Sequence, residues 1–122
     1  MVHTPLQLNA GCPPGQSQPF FIINPDGTSG PQFKLPVGAS FALTDITVVP
    51  ANMASAAPTL IMFGLRQAVG AGHTQRWNFA GYIAQNVDRS FVTPIMFSKD
   101  FEVWNVSASV DLNVNLFGYV NA

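Results

Sequence analysis

The sequence predicts an all-β protein, an antiparallel two-sheet sandwich with roughly seven to nine strands. Ten glycines and ten prolines divide the 122 residues into segments of about 6 to 12 residues, which is the spacing of strands rather than of helices. Most segments are rich in β-branched and aromatic residues, and several alternate apolar with polar positions. Because no segment has the period of an amphipathic helix, so many short strands favour a sandwich or a barrel.

Residues 1–18 are rich in Pro, Gly and Gln, carry almost no charge and show no periodicity. Such a segment cannot bury enough surface to fold alone, so we expect an extended N-terminal arm that becomes ordered on a larger protein assembly. The sandwich domain is then predicted over residues 19–122. Cys12 is the only cysteine and lies in this arm, so it cannot form an internal disulfide.

The first predicted strand is PFFIIN at residues 19–24, which is apolar and ends at the turn Pro25-Asp26-Gly27. QFKLPVG at residues 32–38 follows. Its internal proline cannot donate to a sheet ladder, so this segment is predicted to be a short strand or an extended edge.

FALTDITVVP at residues 41–50 is rich in β-branched residues and ends at a proline. Its apolar positions change face between Leu43 and Ile46, which predicts a β-bulge near Thr44-Asp45. After this strand, residues 51–58 could form a short helical turn.

Five further strands complete the predicted sandwich. TLIMFGLRQ is apolar on both faces, which indicates a central strand or one at an interface. HTQRWNFAGYIAQ and SVDLNVNLFGYV alternate between two kinds of face, and FVTPIMF and FEVWNVS stand between them. These strands are predicted at residues 59–67, 73–85, 91–97, 101–107 and 109–120.

The last strand is expected to be apolar on one face and to change from polar to aromatic on the other. The core face is predicted to carry Val110, Leu112, Val114 and Leu116. On the opposite face, Asn113 and Asn115 can hydrogen-bond at a wet contact. Phe117 and Tyr119 would each expose about 150–250 Å² of ring surface in a monomer, so they are predicted to contact other copies of the chain.

The charge content also predicts self-association. Apolar residues make up 48% of the chain and charged residues only 9%, against about 25% charged residues in a typical soluble domain. Because so few charges cannot cover a lone sandwich, part of the surface is expected to meet another copy of the chain in a homo-oligomer. The predicted oligomer interface consists of Phe117, Tyr119, Asn113, Asn115 and, from the strand that is apolar on both faces, Phe63.

Composition also excludes several partners. The five basic residues are scattered singly, whereas binding to a phosphate backbone needs clustered cations, so nucleic acid is not expected. The longest apolar run, residues 60–65, is far shorter than the roughly 20 residues that span a bilayer, so no membrane partner is expected. The start, MVHTPLQLNAG, has no recognisable secretion signal, which predicts a virion or a cytoplasmic assembly as the location.

From residue 36 onward, the order of these signals resembles a known class of proteins. A tight corner at Pro36 and Gly38 precedes FALTDITVV, and FVTPIMF, FEVWNVS and a final LFGYV follow. Over residues 36–120 this order resembles the small jelly-roll proteins of bacteria and phages, and it is more distantly similar to trimeric jelly rolls of the TNF/C1q type. The resemblance implies an eight-stranded sandwich that often assembles as a trimer, with aromatic residues stacked about the axis, and it implies no catalytic residues.

The predicted function is therefore a non-enzymatic structural subunit of a larger particle, of the phage or virion decoration or capsid-associated type. No cofactor or metal is expected, since His3 and His73 lie far apart in the chain and neither has a carboxylate at ligand spacing. A hydrolase would need a pocket that holds His73 against a serine and an aspartate, and the sequence has no G-x-S-x-G elbow.

The alternative function is a small oligomeric carbohydrate-binding lectin on the same fold. Sugar recognition stacks an aromatic ring on the apolar face of a sugar and binds the hydroxyl groups with amide, carboxylate or guanidinium groups. Trp77 with Gln75 and Arg76 has these residue types on one strand, and Trp104 lies on another. Because successive residues of a strand face opposite ways, Gln75 and Trp77 are expected to share a face. In the competing interpretation, both tryptophans are core or interface anchors.

Overall fold

Ten segments of the chain form β-strands in the computed structural model, which describes residues 3–51, 58–107 and 109–122. Within these ranges there is no helix, and hence none that could cross a membrane. The count is higher than the seven to nine strands predicted, because residues 17–32 divide into three strands of three or four residues. The strands are β1 (His3–Cys12), β2 (Ser17–Pro19), β3 (Phe21–Ile23), β4 (Ser29–Gln32), β5 (Ser40–Ala51), β6 (Thr59–Val69), β7 (Gly72–Ile83), β8 (Val87–Phe97), β9 (Phe101–Asn105) and β10 (Asp111–Asn121).

The strands form two antiparallel sheets that enclose one core. The six-stranded sheet has the order β4-β3-β1-β10-β5-β8, and the four-stranded sheet has the order β2-β9-β6-β7. After β5 the chain crosses to the four-stranded sheet for β6 and β7, returns for β8, crosses again for β9 and returns for β10. This alternation between sheets gives the antiparallel sandwich of jelly-roll type that the sequence predicts.

Inward side chains of both sheets pack into a single hydrophobic core. Its centre is aromatic, since the ring of Phe101 stacks on Phe41 at 5.4 Å and on Phe97 at 4.2 Å between centroids. The predicted core face of the last strand is confirmed by four residues that are at most 2% exposed, Val110, Leu112, Val114 and Leu116. Burial of each such side chain contributes about 1.5–3 kcal/mol, which decides which face of each strand turns inward.

A β-bulge interrupts β5 at the predicted place. The pairing of β5 with β10 shifts register between Phe117 and Gly118, which leaves Thr44 as the extra residue of β5. The pairing of β5 with β8 is irregular at the same place, because the partners of Leu43 and Asp45 are Ile95 and Ser90. Thr44 Oγ1 lies 3.0 Å from the Phe117 carbonyl oxygen. The bulge allows Leu43 and Ile46 both to face the core, where each is at most 1% exposed.

The predicted N-terminal arm is wrong. Residues 3–12 form β1, which lies between β3 and β10 and pairs with β10 along its whole length. Leu8, Ala10 and Cys12 are at most 2% exposed and belong to the core. The prediction failed for two reasons. Ala10 and Cys12 are small, so the alternation of apolar and polar residues in this segment is weak. The strand with which the segment pairs, β10, is at the other end of the chain. The predicted domain boundary at residue 19 therefore lies inside the folded sandwich.

Two further local predictions have different outcomes. Of the two alternatives predicted for residues 32–38, the short strand is wrong, because β4 ends at Gln32 and a segment outside the strands leads to β5. This segment turns just before β5, where the Ala39 amide donates to the Pro36 carbonyl oxygen at 3.0 Å. The helical turn predicted at residues 51–58 falls on residues 52–57, which lie outside the described residues.

Candidate functional site

The outer face of the six-stranded sheet holds most of the predicted oligomer interface. Asn113, Asn115, Phe117 and Tyr119 alternate along β10 with core residues, so the structure brings all four to this face. Their neighbours across the register are outward residues of β1. We call this double row the central strip; it consists of His3, Pro5, Gln7, Asn9 and Gly11 on β1 and Asp111, Asn113, Asn115, Phe117, Tyr119 and Asn121 on β10.

One half of the central strip is a network of asparagine amides. Asn9 Nδ2 donates to Asn113 Oδ1 at 2.6 Å and to Asn115 Oδ1 at 2.9 Å. In both contacts Asn113 and Asn115 act as acceptors, so these bonds do not use their own amide hydrogens. A side-chain amide carries two donors and one acceptor group, so this half can form hydrogen bonds with a second surface.

The other half of the central strip is aromatic. The Tyr119 ring stacks on the His3 imidazole, with 4.9 Å between centroids and an interplanar angle of 5°. Phe117 lines a groove of about 480 Å³ together with Pro5 and Ile23. Both rings are half-buried within one chain. Neighbouring side chains therefore cover part of the ring surface that was predicted to be exposed in a monomer.

The surroundings of the central strip combine exposed apolar side chains with two carboxylates, Asp45 opposite Phe117 on β5 and Asp88 on β8. Phe21 is 38% exposed and Met96 is 39% exposed. Phe21 pairs with Asn9, and Met96 pairs with a residue opposite Tyr119, so both lie on the outer face of the same sheet. The central strip itself contains no Lys, Arg or Glu, and its one carboxylate, Asp111, is at the end of β10.

Phe63 does not belong to this face, and its assignment to the oligomer interface is wrong. It is 2% exposed and points into the core from β6, where its ring lies 5.7 Å from Trp77 and 5.6 Å from Phe79. Residues 59–67 are apolar on both faces, so the sequence did not distinguish the inward face from the outward one. The register of β6 with its neighbours decides it.

The outer face of the four-stranded sheet carries a connected polar cluster. Arg66 lies over Trp104, with Cζ 4.7 Å from the ring centroid. Its Nη2 donates to Ser17 Oγ at 2.6 Å and to Glu102 Oε2 at 3.2 Å. Glu102 Oε1 in turn lies 2.6 Å from His73 Nε2. We call these five residues the Arg66 cluster.

A bulge in β7 separates the residues that the lectin alternative grouped around Trp77. The pairing of β6 with β7 shifts register beside Arg76, so Gln75 and Trp77 face opposite ways and the prediction that they share a face is wrong. Trp77 turns inward against the Phe63 ring. Arg76 donates to the Met96 carbonyl oxygen at 3.0 and 3.2 Å. Gln75 faces outward, on the side where Trp104 lies.

A hollow of about 200 Å³ opens on this outer face above Gly64, and we call it the glycine hollow. In register, Gly64 lies between Trp104 of β9 and Asn78 of β7. Because position 64 has no side chain, the Gln75 amide folds over it, with Cδ and Nε2 2.9 Å from where a Cβ would be. The hollow therefore has an aromatic wall on one side and side-chain amides on the other.

A second hollow, of about 290 Å³, lies at the β2 end of the same face and is lined in part by His73, Asp100, Glu102 and Ser17. These are the residue types that the hydrolase alternative requires. However, the partner of the His73 imidazole is Glu102, and the partner of the Ser17 hydroxyl is Arg66. Among the described residues, no group of three or more His, Cys, Asp and Glu converges as it would around a metal ion.

Arg66 and Gly64 were not among the predicted site residues. Arg66 and Gly64 lie in a strand that reads as apolar on both faces, so nothing in the local pattern marked either as part of an outer surface. An isolated glycine inside a strand does indicate close approach of another group, and Gly64 is the one signal of this kind that could have located the hollow.

No protein-family model matches the chain, and no curated protein is significantly similar to it. The two outer faces therefore provide the grounds for assigning a function.

Proposed function

We propose that this protein is a non-enzymatic structural subunit that self-associates through the outer face of its six-stranded sheet, in a larger particle of the phage or virion decoration or capsid-associated type. The favoured assembly is a homotrimer in a virion or a cytoplasmic assembly. The central strip carries this proposal, because two aromatic rings and a row of asparagine amides share one face without any Lys, Arg or Glu. The assembly contact is assigned to this face and not to an N-terminal arm, since residues 3–12 form β1.

The chemistry of the central strip suits contact between identical copies. Close to a symmetry axis a side chain lies near its own copies, so a charged group there would meet like charges. The aromatic half of the central strip contains no carboxylate, Lys or Arg of its own, and the carboxylate in register with Phe117, Asp45, is on the neighbouring strand β5. In the polar half, an asparagine amide can donate to and accept from its own copy, which makes Asn113 and Asn115 self-complementary.

The four long strands alone present a face somewhat smaller than a standard stable interface. The four long strands β1, β10, β5 and β8 each have 10 to 12 residues. At about 3.3 Å per residue and about 4.8 Å between strands, they present roughly 33 by 19 Å, or about 600 Å². A stable interface buries about 800 Å² per partner. The adjoining strands β3 and β4, with the exposed Phe21 ring, extend the face toward that size.

Light scattering coupled to size exclusion tests the proposal. The wild-type chain is expected at about 39 kDa, three times its mass of 13.1 kDa. The double variant Phe117→Gln, Tyr119→Gln is expected at the monomer mass, because it replaces the aromatic half of the interface by amides. Tyr82→Gln is the matched control, since Tyr82 is 73% exposed on the other sheet and its loss should leave the mass unchanged.

Two results would contradict the proposal. One is a wild-type chain that elutes as a monomer at every concentration. The other is a double variant that keeps the wild-type mass while circular dichroism shows it to be folded.

A further inference from the structure

We infer that the outer face of the four-stranded sheet is a binding site for a neutral carbohydrate, with the glycine hollow as the seat of one pyranose ring. Trp104 would be the stacking platform, and Gln75 and Asn78 would bind the hydroxyl groups. This site lies on the opposite side of the sandwich from the proposed self-association face, so it does not depend on the proposed function.

The shape of the glycine hollow follows from the register. Trp104, Gly64 and Asn78 are directly opposed on three neighbouring strands, so their side chains all point outward. The missing side chain of Gly64 leaves the room in which the Gln75 amide lies, and the hollow of about 200 Å³ is lined by this amide, the Asn78 amide and the Trp104 indole. This is smaller than the roughly 300–1,000 Å³ of pockets for drug-sized ligands, and it suits a single ring.

The chemistry of the walls matches the two faces of a sugar. The C–H groups on the apolar face of a pyranose carry partial positive charge, and the face of an aromatic ring carries partial negative charge, so the two attract when stacked. Amides of the Gln75 and Asn78 type offer two donors and an acceptor each, which is the combination that neighbouring hydroxyl groups need.

The platform is held in place before any ligand arrives. Arg66 lies over one face of the Trp104 ring at 4.7 Å, which leaves only the opposite face for a sugar, and its guanidinium is itself fixed by Ser17 at 2.6 Å and Glu102 at 3.2 Å. A ring already held by neighbouring contacts loses little conformational freedom on binding. The Arg66 cluster therefore positions Trp104, and its residues are positioning residues in this site.

The charge of the face selects a neutral ligand. Arg66 is the one Lys or Arg among the residues of the Arg66 cluster and the glycine hollow, and the Glu102 carboxylate is paired with it. The second hollow adds Asp100, whose carboxylate would accept hydrogen bonds from hydroxyl groups and repel an acidic sugar. A neutral disaccharide could then place its second ring in that hollow.

The test is an NMR titration of the ¹⁵N-labelled full chain with methyl β-glucopyranoside, methyl β-galactopyranoside and methyl α-mannopyranoside, with glucuronic acid as the charged comparison. At least one neutral glycoside is expected to give saturable shifts of the Gln75 and Asn78 side-chain amides and of the Trp104 indole. Glucuronic acid is expected to bind more weakly than that glycoside.

Three variants locate the site. Trp104→Leu is expected to weaken binding about tenfold through loss of the stacking platform. Gly64→Ala should weaken it as well, because the added methyl displaces the flexible Gln75 amide. Asn78→Ala, at an exposed position of the edge strand β7, leaves the fold intact and provides a test if either other variant unfolds. Tyr82→Ala is the matched aromatic control, because Tyr82 does not line the glycine hollow.

The inference is overturned if none of the three glycosides shifts these groups at tens of millimolar. It is also overturned if binding survives Asn78→Ala and a folded Trp104→Leu unchanged, if Tyr82→Ala weakens it as much as Trp104→Leu, or if glucuronic acid binds more tightly than the neutral sugars. The mass of the assembly is measured separately, so failure of this inference is distinguishable from failure of the proposed function.

Discussion

Replacement of Asn105 by Ala should strongly destabilise this sandwich. The Asn105 side chain is fully buried, and its Nδ2 donates to the carbonyl oxygens of Cys12 at 2.9 Å and Val110 at 2.7 Å. Its Oδ1 accepts from the Ser107 amide at 2.9 Å. One side chain therefore joins the end of β1, the end of β9 and the segment that leads into β10, and Asn105→Ala removes all three contacts.

The expected loss follows from what remains behind. Cys12, Val110 and Ser107 are each at most 2% exposed, so the two carbonyl groups and the amide have no ready access to bulk water. Each buried group left without a partner costs about 1–3 kcal/mol. A water molecule in the space that the amide vacates can satisfy one or two of them. We therefore expect a decrease of about 3 kcal/mol in the free energy of unfolding, out of the roughly 5–15 kcal/mol of a typical domain.

Urea unfolding followed by circular dichroism measures this loss. With a slope of about 2 kcal/mol per molar urea, the midpoint should fall by about 1.5 M. Asn78→Ala is the control, because that amide is exposed and its removal should change the free energy of unfolding by no more than about 0.5 kcal/mol. A decrease of less than about 1 kcal/mol for Asn105→Ala would refute the reasoning that these three contacts hold the strand ends together.

Three further outcomes are expected. Burial raises the pKa of the Cys12 thiol, so a thiol reagent at pH 8 should react slowly with the folded chain and fast in urea; equal rates would contradict this burial. Hydrogen bonds from Ser90 and Thr44 hold the pKa of the Asp45 carboxyl below its ordinary value of 3.8, so this group stabilises the fold above that pH and the contribution is lost as pH falls through the lower folded value. Ser90→Ala should raise the Asp45 pKa in an NMR titration, and an unchanged value would count against the contact. A Cβ at Gly118 would overlap the carbonyl oxygen of Ala42 on β5, so Gly118→Ala should cost about 1–3 kcal/mol in urea unfolding, and wild-type stability would show that β5 can move aside.

The last strand shows what local pattern can predict. Alternate residues from Val110 to Leu116 are apolar, and they are the residues that the structure buries. The face change between Leu43 and Ile46 likewise indicated a bulge that the pairing of β5 contains. In both cases the information lies within a few consecutive residues, because side chains of a strand alternate with a period of two.

The candidate sites show where that information ends. The sequence placed Asn113, Asn115, Phe117 and Tyr119 on one face, and they do share one. It did not find the Arg66 cluster, whose members come from β2, β6, β7 and β9. Trp104 and His73 were singled out for two different functions, and the contacts that join them through Arg66 and Glu102 exist only once the strands are aligned.

By itself, the amino-acid sequence determined the all-β class, the position of the bulge and the two faces of the final strand, since these depend on alternation along a short segment. Only the tertiary structure decided that residues 3–12 are an interior strand, that Phe63 and Trp77 face inward, and that Gln75 faces outward. The physical reason is register. Strands that are distant in sequence adopt the register that buries the most apolar surface in the whole fold. A single extra residue in a strand then reverses the face of every side chain beyond it.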